Sequence, residues 1–82
     1  MIKKKLSEMV LGEQGLVSAV TADSETADQW LELGIGVDEE ISMEGASPFG
    51  DPIIVGLMNY RLALRKSDAA KILVRIDVRG RK

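Results

Sequence analysis

The chain has 82 residues, a formal net charge of −2, and neither cysteine nor histidine. This length suits one domain with a modest core. Without cysteine there is no disulfide and no thiolate, and without histidine the usual general base and transition-metal ligand are missing. These absences exclude catalytic sites of the Ser-His-Asp and Cys-His types, zinc fingers, and the iron site built from two histidines and a carboxylate.

The net charge conceals segments of opposite sign. Residues 1–5 carry three lysines, residues 6–60 carry eleven acidic residues and no basic ones, and residues 61–82 carry eight basic residues against two acidic ones. We expect a basic lead over 1–5 and a basic flexible tail over 78–82. In the folded domain we expect one or more of four basic residues to lie close to acidic residues of 6–60. These four are Arg61, Arg65, Lys66 and Arg75.

A strand is predicted near the start of the domain, after a short helical turn. Residues 6–12 favour no more than one helical turn closed by a glycine. Residues 15–21 are rich in β-branched and apolar side chains and lie between glycines and an aspartate, a pattern typical of a strand.

One amphipathic helix follows this strand. Ser24 is a suitable N-cap and precedes an acidic first turn, where the helix dipole favours negative charge. Ala27, Trp30 and Leu31 then repeat with helical spacing, and Gly34 stands where a helix commonly ends. The pattern predicts a helix of about ten residues with an apolar stripe facing the core.

The second half of the chain predicts short strands separated by tight turns. Alternating polar and apolar residues predict a half-buried strand over 40–44, and two prolines with a glycine indicate a turn over 47–52. Further predicted elements are strands over 52–56, 60–65 and 72–76, a hairpin tip at 58–59, and a one-turn helix over 67–71. Five short strands favour a mostly β small barrel, closed or partly closed, in one domain over 6–77. The helix is inserted between the first two strands.

Membrane insertion is not expected. The longest uncharged stretches fall far short of the roughly 20 apolar residues that a spanning helix needs. The lysines at 3–5 resemble the start of a signal peptide, but no apolar segment of the required length follows them. We therefore predict a cytoplasmic protein.

Short motifs in a fixed order carry a family resemblance. The most specific are Pro-Phe-Gly-Asp-Pro-Ile at 48–53 and Leu-Ala-Leu-Arg at 62–65. Weaker matches flank them over 6–15, 31–36 and 69–74. Together they cover nearly all of residues 6–76, and the chain resembles the ferrous iron transport protein A family (FeoA), whose fold is an SH3-like small barrel.

The resemblance implies a cytosolic accessory protein of ferrous iron uptake that is not an enzyme and needs no cofactor. The implied partner is FeoB, a membrane permease with a cytosolic GTP-binding domain. A related barrel ends some iron-dependent repressors, but this chain has no helix-turn-helix. One departure is that family members often carry Arg or Lys just before the Leu31 motif, whereas this helix has Glu25 and Asp28. A contact through a basic helix is therefore not expected here.

Five residues are candidate contacts with a partner: Trp30, Leu31, Phe49, Arg61 and Arg65. Trp30 either packs in the core or anchors a partner, and Phe49 stands at the tip of a turn. Arg61 and Arg65 flank alternating leucines, so they form either a solvated strand face or a contact with an acidic surface. We expect the helix over 27–34 and the Phe49 turn to form one apolar patch.

Other functions receive less support from the sequence. No metal site is assigned: the acidic run 38–40 is a solvated turn or a weak oxygen-ligand site, and Met9 and Met43 are expected to fill the core. Nucleic-acid binding is not expected, because base stacking needs aromatic residues that the basic segment lacks, Tyr60 apart. The alternatives kept open are a generic or weakly self-associating interaction barrel and a divalent-metal sensor.

Overall fold

The computed structural model describes residues 2–76 and folds them into one antiparallel β-sheet with two short helices. The strands are β1 (Ile2–Lys5), β2 (Gln14–Val20), β3 (Glu40–Ala46), β4 (Ile53–Gly56), β5 (Arg61–Leu64) and β6 (Ile72–Ile76). The helices are α1 (Ser24–Glu32) and α2 (Lys66–Ala69), and a 3₁₀ turn, Leu6–Glu8, follows β1. Within residues 2–76, neither helix is long and apolar enough to cross a membrane.

The sheet runs in the order β1-β6-β2-β3-β4-β5, so β1 and β5 are its edge strands. Register shifts interrupt the pairing of β2 with β6 and of β3 with β4, and such bulges bend strands and increase their twist. The 3₁₀ turn after β1 contacts α2, which follows β5. Because these segments extend from opposite edges, their contact draws the curved sheet into a partly closed barrel.

The predicted mostly β small barrel is confirmed, but it has six strands instead of five. The additional strand is β1, in the segment predicted as a basic lead. It pairs with β6 from Ile2↔Ile76 to Lys5↔Leu73. Three consecutive lysines show no apolar alternation, so pattern analysis misses the strand, yet lysine is favoured on edge strands because it discourages pairing with other chains. The predicted tail, 78–82, lies outside the described residues.

The core is formed by one face of the sheet and by the residues that end α1. Strand β6 shows the alternation most clearly, because Ile72, Val74 and Ile76 are buried and the two residues between them are partly exposed. The other buried apolar residues are Leu6, Met9, Val17, Trp30, Ile35, Ile41, Met43, Ile53, Val55, Leu64 and Ala69. Among the residues described, no polar or charged side chain is buried, so apolar burial is the main stabilising term.

The expected meeting of basic and acidic segments is also confirmed. The Arg61 Nε lies 3.3 Å from Glu44 Oε1, and the Arg75 Nη2 lies 3.4 Å from Asp38 Oδ1. Exposed pairs of this kind contribute about 0–1 kcal/mol each. They therefore arrange charge on the surface more than they stabilise the fold.

Candidate protein-interaction surface

Helix α1 begins one residue earlier than the sequence predicts. Asp23, not Ser24, is the N-cap, because its Oδ2 accepts a hydrogen bond from the Thr26 N–H at 3.1 Å and its Oδ1 accepts one from the Thr26 hydroxyl at 2.8 Å. Both bonds lower the pKa of the Asp23 carboxyl below its ordinary value of 3.8, and the bond from the Thr26 hydroxyl has a larger effect than the bond from the Thr26 N–H. The helix thus starts with a negative charge at its positive end.

The end of α1 buries one side chain and exposes the next. Gly34 has a φ of 98°, and its N–H donates to the Leu31 carbonyl at 3.0 Å while the Ile35 N–H donates to the Trp30 carbonyl at 2.8 Å. Trp30 packs in the core and is only 7% exposed. Leu31 is rotated from it by about 100° around the helix and is exposed instead of completing the predicted core stripe.

Exposed apolar side chains gather where the end of α1 meets the turn between β4 and β5. The Tyr60 hydroxyl donates a hydrogen bond to the Leu33 carbonyl and fastens this turn to the helix end. Leu57 lies against Gly34, because a Cβ placed on Gly34 would stand 3.8 Å from the Leu57 Cδ1. We term four exposed residues here the helix-end patch: Leu31, Leu33, Met58 and Tyr60. Clustered apolar side chains on a small domain mark an interaction surface.

The Leu31 side chain is held in place by a glycine. A Cβ at Gly36 would collide with the Leu31 Cδ1, so this side chain lies directly over the Gly36 backbone. Leu31 is nevertheless 59% exposed, and Met58 across the patch is 75% exposed. A side chain that is already positioned loses less entropy on binding than a free one.

The helix-end patch borders an acidic surface. Glu25, Asp28 and Glu32 are exposed on α1, which carries no basic residue. None of the three forms an ion pair with any of residues 2–76. Arg61, at the start of β5, is engaged by Glu44. The surface therefore suits a partner that presents basic residues around an apolar contact.

A second apolar feature is the loop 47–52, which lies at the opposite end of β4. The Ser47 hydroxyl donates to the Asp51 carbonyl at 2.6 Å and accepts from the Asp51 N–H at 3.1 Å. The Gly50 N–H donates to the Ser47 carbonyl at 2.8 Å, with a φ of 86° that favours glycine. Phe49, at the tip, is 96% exposed. The four residues of β4 span about 13 Å, and they separate Phe49 from the helix-end patch.

A cavity of about 370 Å³ opens beside this loop, and we term it the loop groove. Its apolar lining comes from Met9, Leu11, Met43, Ala46 and Ile53, and its charged lining residue is Lys66. The Lys66 backbone N–H donates to Asp51 Oδ1 at 2.9 Å, which ties α2 to the loop. The groove and Phe49 are therefore parts of one connected region.

The helix over 27–34 and the Phe49 turn do not form the single apolar patch that the sequence suggests, and the five candidate contact residues lie in different places. Leu31 belongs to the helix-end patch, whereas Phe49 lies at the other end of β4. Trp30 is buried, in agreement with its core alternative, so little of it can contact a partner. Arg61 is exposed at the start of β5, and Arg65 lies just beyond that strand as the N-cap residue of α2.

The acidic run 38–40 is the one stretch that the sequence offers as a weak oxygen-ligand site. No group of three or more acidic residues that could hold a metal ion occurs among residues 2–76. The acidic run 38–40 is exposed, and Asp38 is paired with Arg75. The metal-sensor alternative thus has no candidate site in this part of the chain.

Two features of these surfaces escape sequence reasoning. The bond from Tyr60 to Leu33 joins residues 27 positions apart, which no local pattern reveals. The groove combines segments from the start, middle and end of the domain, so its lining has no motif. One usable signal is Met58, because a large apolar residue at a predicted turn tip has no core to enter.

Both the sequence and the fold are similar to those of known proteins. The FeoA domain family model matches residues 4–76. A fusion protein of Porphyromonas gingivalis, named Fe(2+) transport protein A/Fe(2+) transporter FeoB, is 32% identical over 72 residues. The match covers 88% of this chain but only 8% of the relative, so the chain corresponds to a small part of that protein.

Solved structures agree with the fold. A FeoA-like protein from Clostridium acetobutylicum has a TM-score of 0.82 and 32% identity, covering 98% of this chain and 93% of its own. The FeoA of Stenotrophomonas maltophilia, an SH3 domain protein solved with zinc, has a TM-score of 0.71 and 33% identity, covering 88% of this chain and 87% of its own. The predicted SH3-like character of the barrel is thereby confirmed.

Proposed function

The chain belongs to the FeoA family, and we propose that it serves ferrous iron uptake as a non-enzymatic, cytoplasmic accessory protein. In this proposal it binds the cytosolic GTP-binding part of a FeoB-type permease. The Porphyromonas gingivalis relative supports the assignment, because its name joins an Fe(2+) transport protein A to the Fe(2+) transporter FeoB in one fusion protein. Joining two modules in one chain raises their effective concentration, an arrangement that suits modules that contact each other.

The observation that carries the proposal is the helix-end patch. It is apolar and exposed, and the Tyr60–Leu33 hydrogen bond and the packing of Leu31 on Gly36 give it a fixed shape. Tyrosine is enriched among the residues that dominate binding energy at protein interfaces. A patch of this kind favours a protein partner, because clustered exposed apolar side chains are typical of protein-interaction surfaces.

The charge around the patch defines the partner surface further. The carboxylates of Glu25, Asp28 and Glu32 stand on the same helix that supplies Leu31. We therefore infer that the permease domain contributes basic residues around the apolar contact. Such rim charges raise the association rate and make it sensitive to salt more than they raise affinity.

The expected contribution of Leu31 can be worked from its exposure. Complete burial of a leucine side chain contributes about 1.5–3 kcal/mol. Because 59% of Leu31 is exposed before binding, its burial in the complex would contribute about 1–2 kcal/mol. Its truncation to alanine should weaken the complex by about 5- to 30-fold.

The test is a calorimetric titration of the chain with the soluble cytosolic domain of the permease. Leu31→Ala and Met58→Ala, both in the patch, should weaken binding, whereas Leu11→Ala is a matched control because Leu11 is exposed and apolar but lies in the loop groove. Circular dichroism of each variant establishes that it remains folded. Absence of binding by the wild type would refute the proposed function, and equal affinity of all four proteins would refute the assigned patch.

A further inference from the structure

We propose that this chain docks on the surface of an anionic lipid bilayer through two apolar loop tips and the basic side chains beside them. One tip is Val10 with Leu11, in the loop between the 3₁₀ turn and β2, and the other is Phe49, in the loop before β4. We term these three residues the apolar tips. The contact is peripheral, so it needs no membrane-spanning helix. It is independent of the permease, because the helix-end patch lies at the other end of β4.

The apolar tips expose large side chains on one side of the domain. Val10, Leu11 and Phe49 are 60%, 72% and 96% exposed. The two tips are neighbours, because Leu11 and Gly50, the residue after Phe49, line the same groove. Side chains of this kind are stabilised when they enter the boundary between headgroups and acyl chains. A bilayer also receives two separate tips without the matching shape that a folded protein would need.

The first tip is held in one shape, and its acidic residue is paired. The Glu13 N–H donates to the Val10 carbonyl at 3.0 Å, the Val10 N–H donates to Glu13 Oε1 at 2.9 Å, and Gly12 has a φ of 92°. The Lys4 Nζ lies 2.8 Å from the same Oε1. The Glu13 charge is therefore balanced by Lys4, and the loop loses little conformational entropy when its tip is buried.

Unpaired basic residues lie beside the tips. Within residues 2–76 the ion pairs engage Lys4, Arg61 and Arg75, and the other five basic residues form none. These five lie on β1 or between β5 and β6, and the two segments adjoin because the 3₁₀ turn after β1 contacts α2. All five are exposed, and we term them the basic seam: Lys3, Lys5, Arg65, Lys66 and Lys71.

Lys66 connects the basic seam with the apolar tips. Its Nζ would stand 3.6 Å from a Cβ built on Gly50, so the ammonium group lies beside the residue that follows Phe49. Lys66 also lines the loop groove together with Leu11. An anionic headgroup above the groove would therefore meet the ammonium group while the apolar tips enter the bilayer.

The seam remains positive after its acidic neighbours are counted. Three carboxylates lie in the same region: Glu8, Asp51 and Asp68. Glu8 Oε1 accepts a hydrogen bond from the Lys5 N–H at 3.2 Å, and Asp51 Oδ1 accepts one from the Lys66 N–H at 2.9 Å. Five seam cations less three carboxylates leave a charge of +2 on this side of the domain.

Negative charge is concentrated on helix α1 instead. Glu25, Asp28 and Glu32 are exposed there and form no ion pair within residues 2–76. An anionic surface attracts the basic seam and repels α1, so the field of the whole domain turns the tips towards the bilayer. This charge separation favours an anionic bilayer over a neutral one, and docking by the tips leaves the helix-end patch free for the permease domain.

Cosedimentation of the full chain with lipid vesicles tests the proposal. The chain should bind vesicles of phosphatidylglycerol and phosphatidylcholine in equal amounts and not those of phosphatidylcholine alone, and ~0.5 M salt should release it because charge attraction is then screened. Phe49→Ala should lower the partition coefficient by about tenfold, as expected for a large apolar side chain that is partly buried. Combining Lys3→Gln with Lys5→Gln should lower it by about 25-fold, because each lysine contributes about fivefold.

Two matched controls separate this side of the domain from the rest. Met58→Ala removes an exposed apolar side chain of the helix-end patch, and Arg61→Gln removes a cation that Glu44 already engages. Both should bind the vesicles like the wild type. The basic residues over 79–82 are present in every variant, so differences among variants report on the tips and the seam. Circular dichroism establishes that each variant remains folded.

Four results would overturn membrane docking. A wild type that does not bind the anionic vesicles at low salt removes the proposal, and equal binding to phosphatidylcholine removes the role of the seam. Vesicle binding that Phe49→Ala keeps and Met58→Ala loses would place the contact at the helix-end patch. If Phe49→Ala loses permease-domain binding while the wild type does not bind vesicles, the tips belong to that protein instead. The vesicles contain no protein, so none of the lipid results depends on the permease.

Discussion

Replacing Tyr60 with phenylalanine removes one hydroxyl and leaves the aromatic ring of the helix-end patch. The hydroxyl donates to the Leu33 carbonyl, and this bond fastens the β4–β5 turn to the end of α1. A neutral hydrogen bond contributes about 0.5–1.5 kcal/mol net to stability. Because Tyr60 is 44% exposed and water competes for both groups, we expect a loss of about 0.5–1 kcal/mol.

This loss is large enough to measure. In a domain of this size 1 kcal/mol corresponds to about 4–8 °C in Tm, so Tyr60→Phe should melt about 2–8 °C below the wild type. Thermal unfolding followed by circular dichroism gives the shift, and Phe49→Leu is the control because Phe49 makes no hydrogen bond through its side chain. Amide exchange of Gly34 and Ile35, at the helix end, should also accelerate. A Tyr60→Phe variant with wild-type Tm and exchange would refute the role assigned to this bond.

Three further substitutions test other parts of the fold. Gly15→Ala should destabilise the domain by about 1–3 kcal/mol in urea unfolding, because a Cβ would collide with the Arg75 carbonyl on β6; an unchanged midpoint would contradict this close approach. Trp30→Ala should cost about 3–5 kcal/mol and leave little folded protein by far-ultraviolet circular dichroism in a urea titration, whereas a well-folded variant would show that the ring is not part of the core. Asp23→Ala should destabilise α1 at neutral pH, and since the folded-state pKa is lowered, the difference from wild type should shrink as pH falls through that pKa; a difference that grows in acid would contradict the cap.

Local patterns predict most of the barrel because its strands and helix obey simple periodicities. The alternation in β3 and β6 and the glycine stop of α1 all appear in the structure. The strand β1 escapes because lysines on an edge strand carry no buried face, and only its pairing with β6 defines it. Asp23 and Ser24 are both good N-caps, so the choice between them depends on which side chain reaches Thr26.

The interaction surfaces are harder to predict because they depend on long-range packing. Helical spacing groups Leu31 with Trp30, yet the sheet covers only the Trp30 side of a nine-residue helix. The expected single patch of α1 and the Phe49 turn does not form. The Phe49 turn precedes β4, whereas the turn that contacts α1 follows β4, so the strand separates them. Exposed residues obey no periodicity, so their grouping follows only from topology.

The proposed docking surface can be tested most directly by nuclear magnetic resonance of the ¹⁵N-labelled chain. Titration with the soluble cytosolic domain of a FeoB-type permease should perturb amide signals over 31–37 and 57–61, which surround the helix-end patch, and should leave those over 45–53 unchanged. Perturbations confined to 45–53 would contradict the assigned surface. A spectrum that does not respond to the permease domain at all would contradict the proposed function itself.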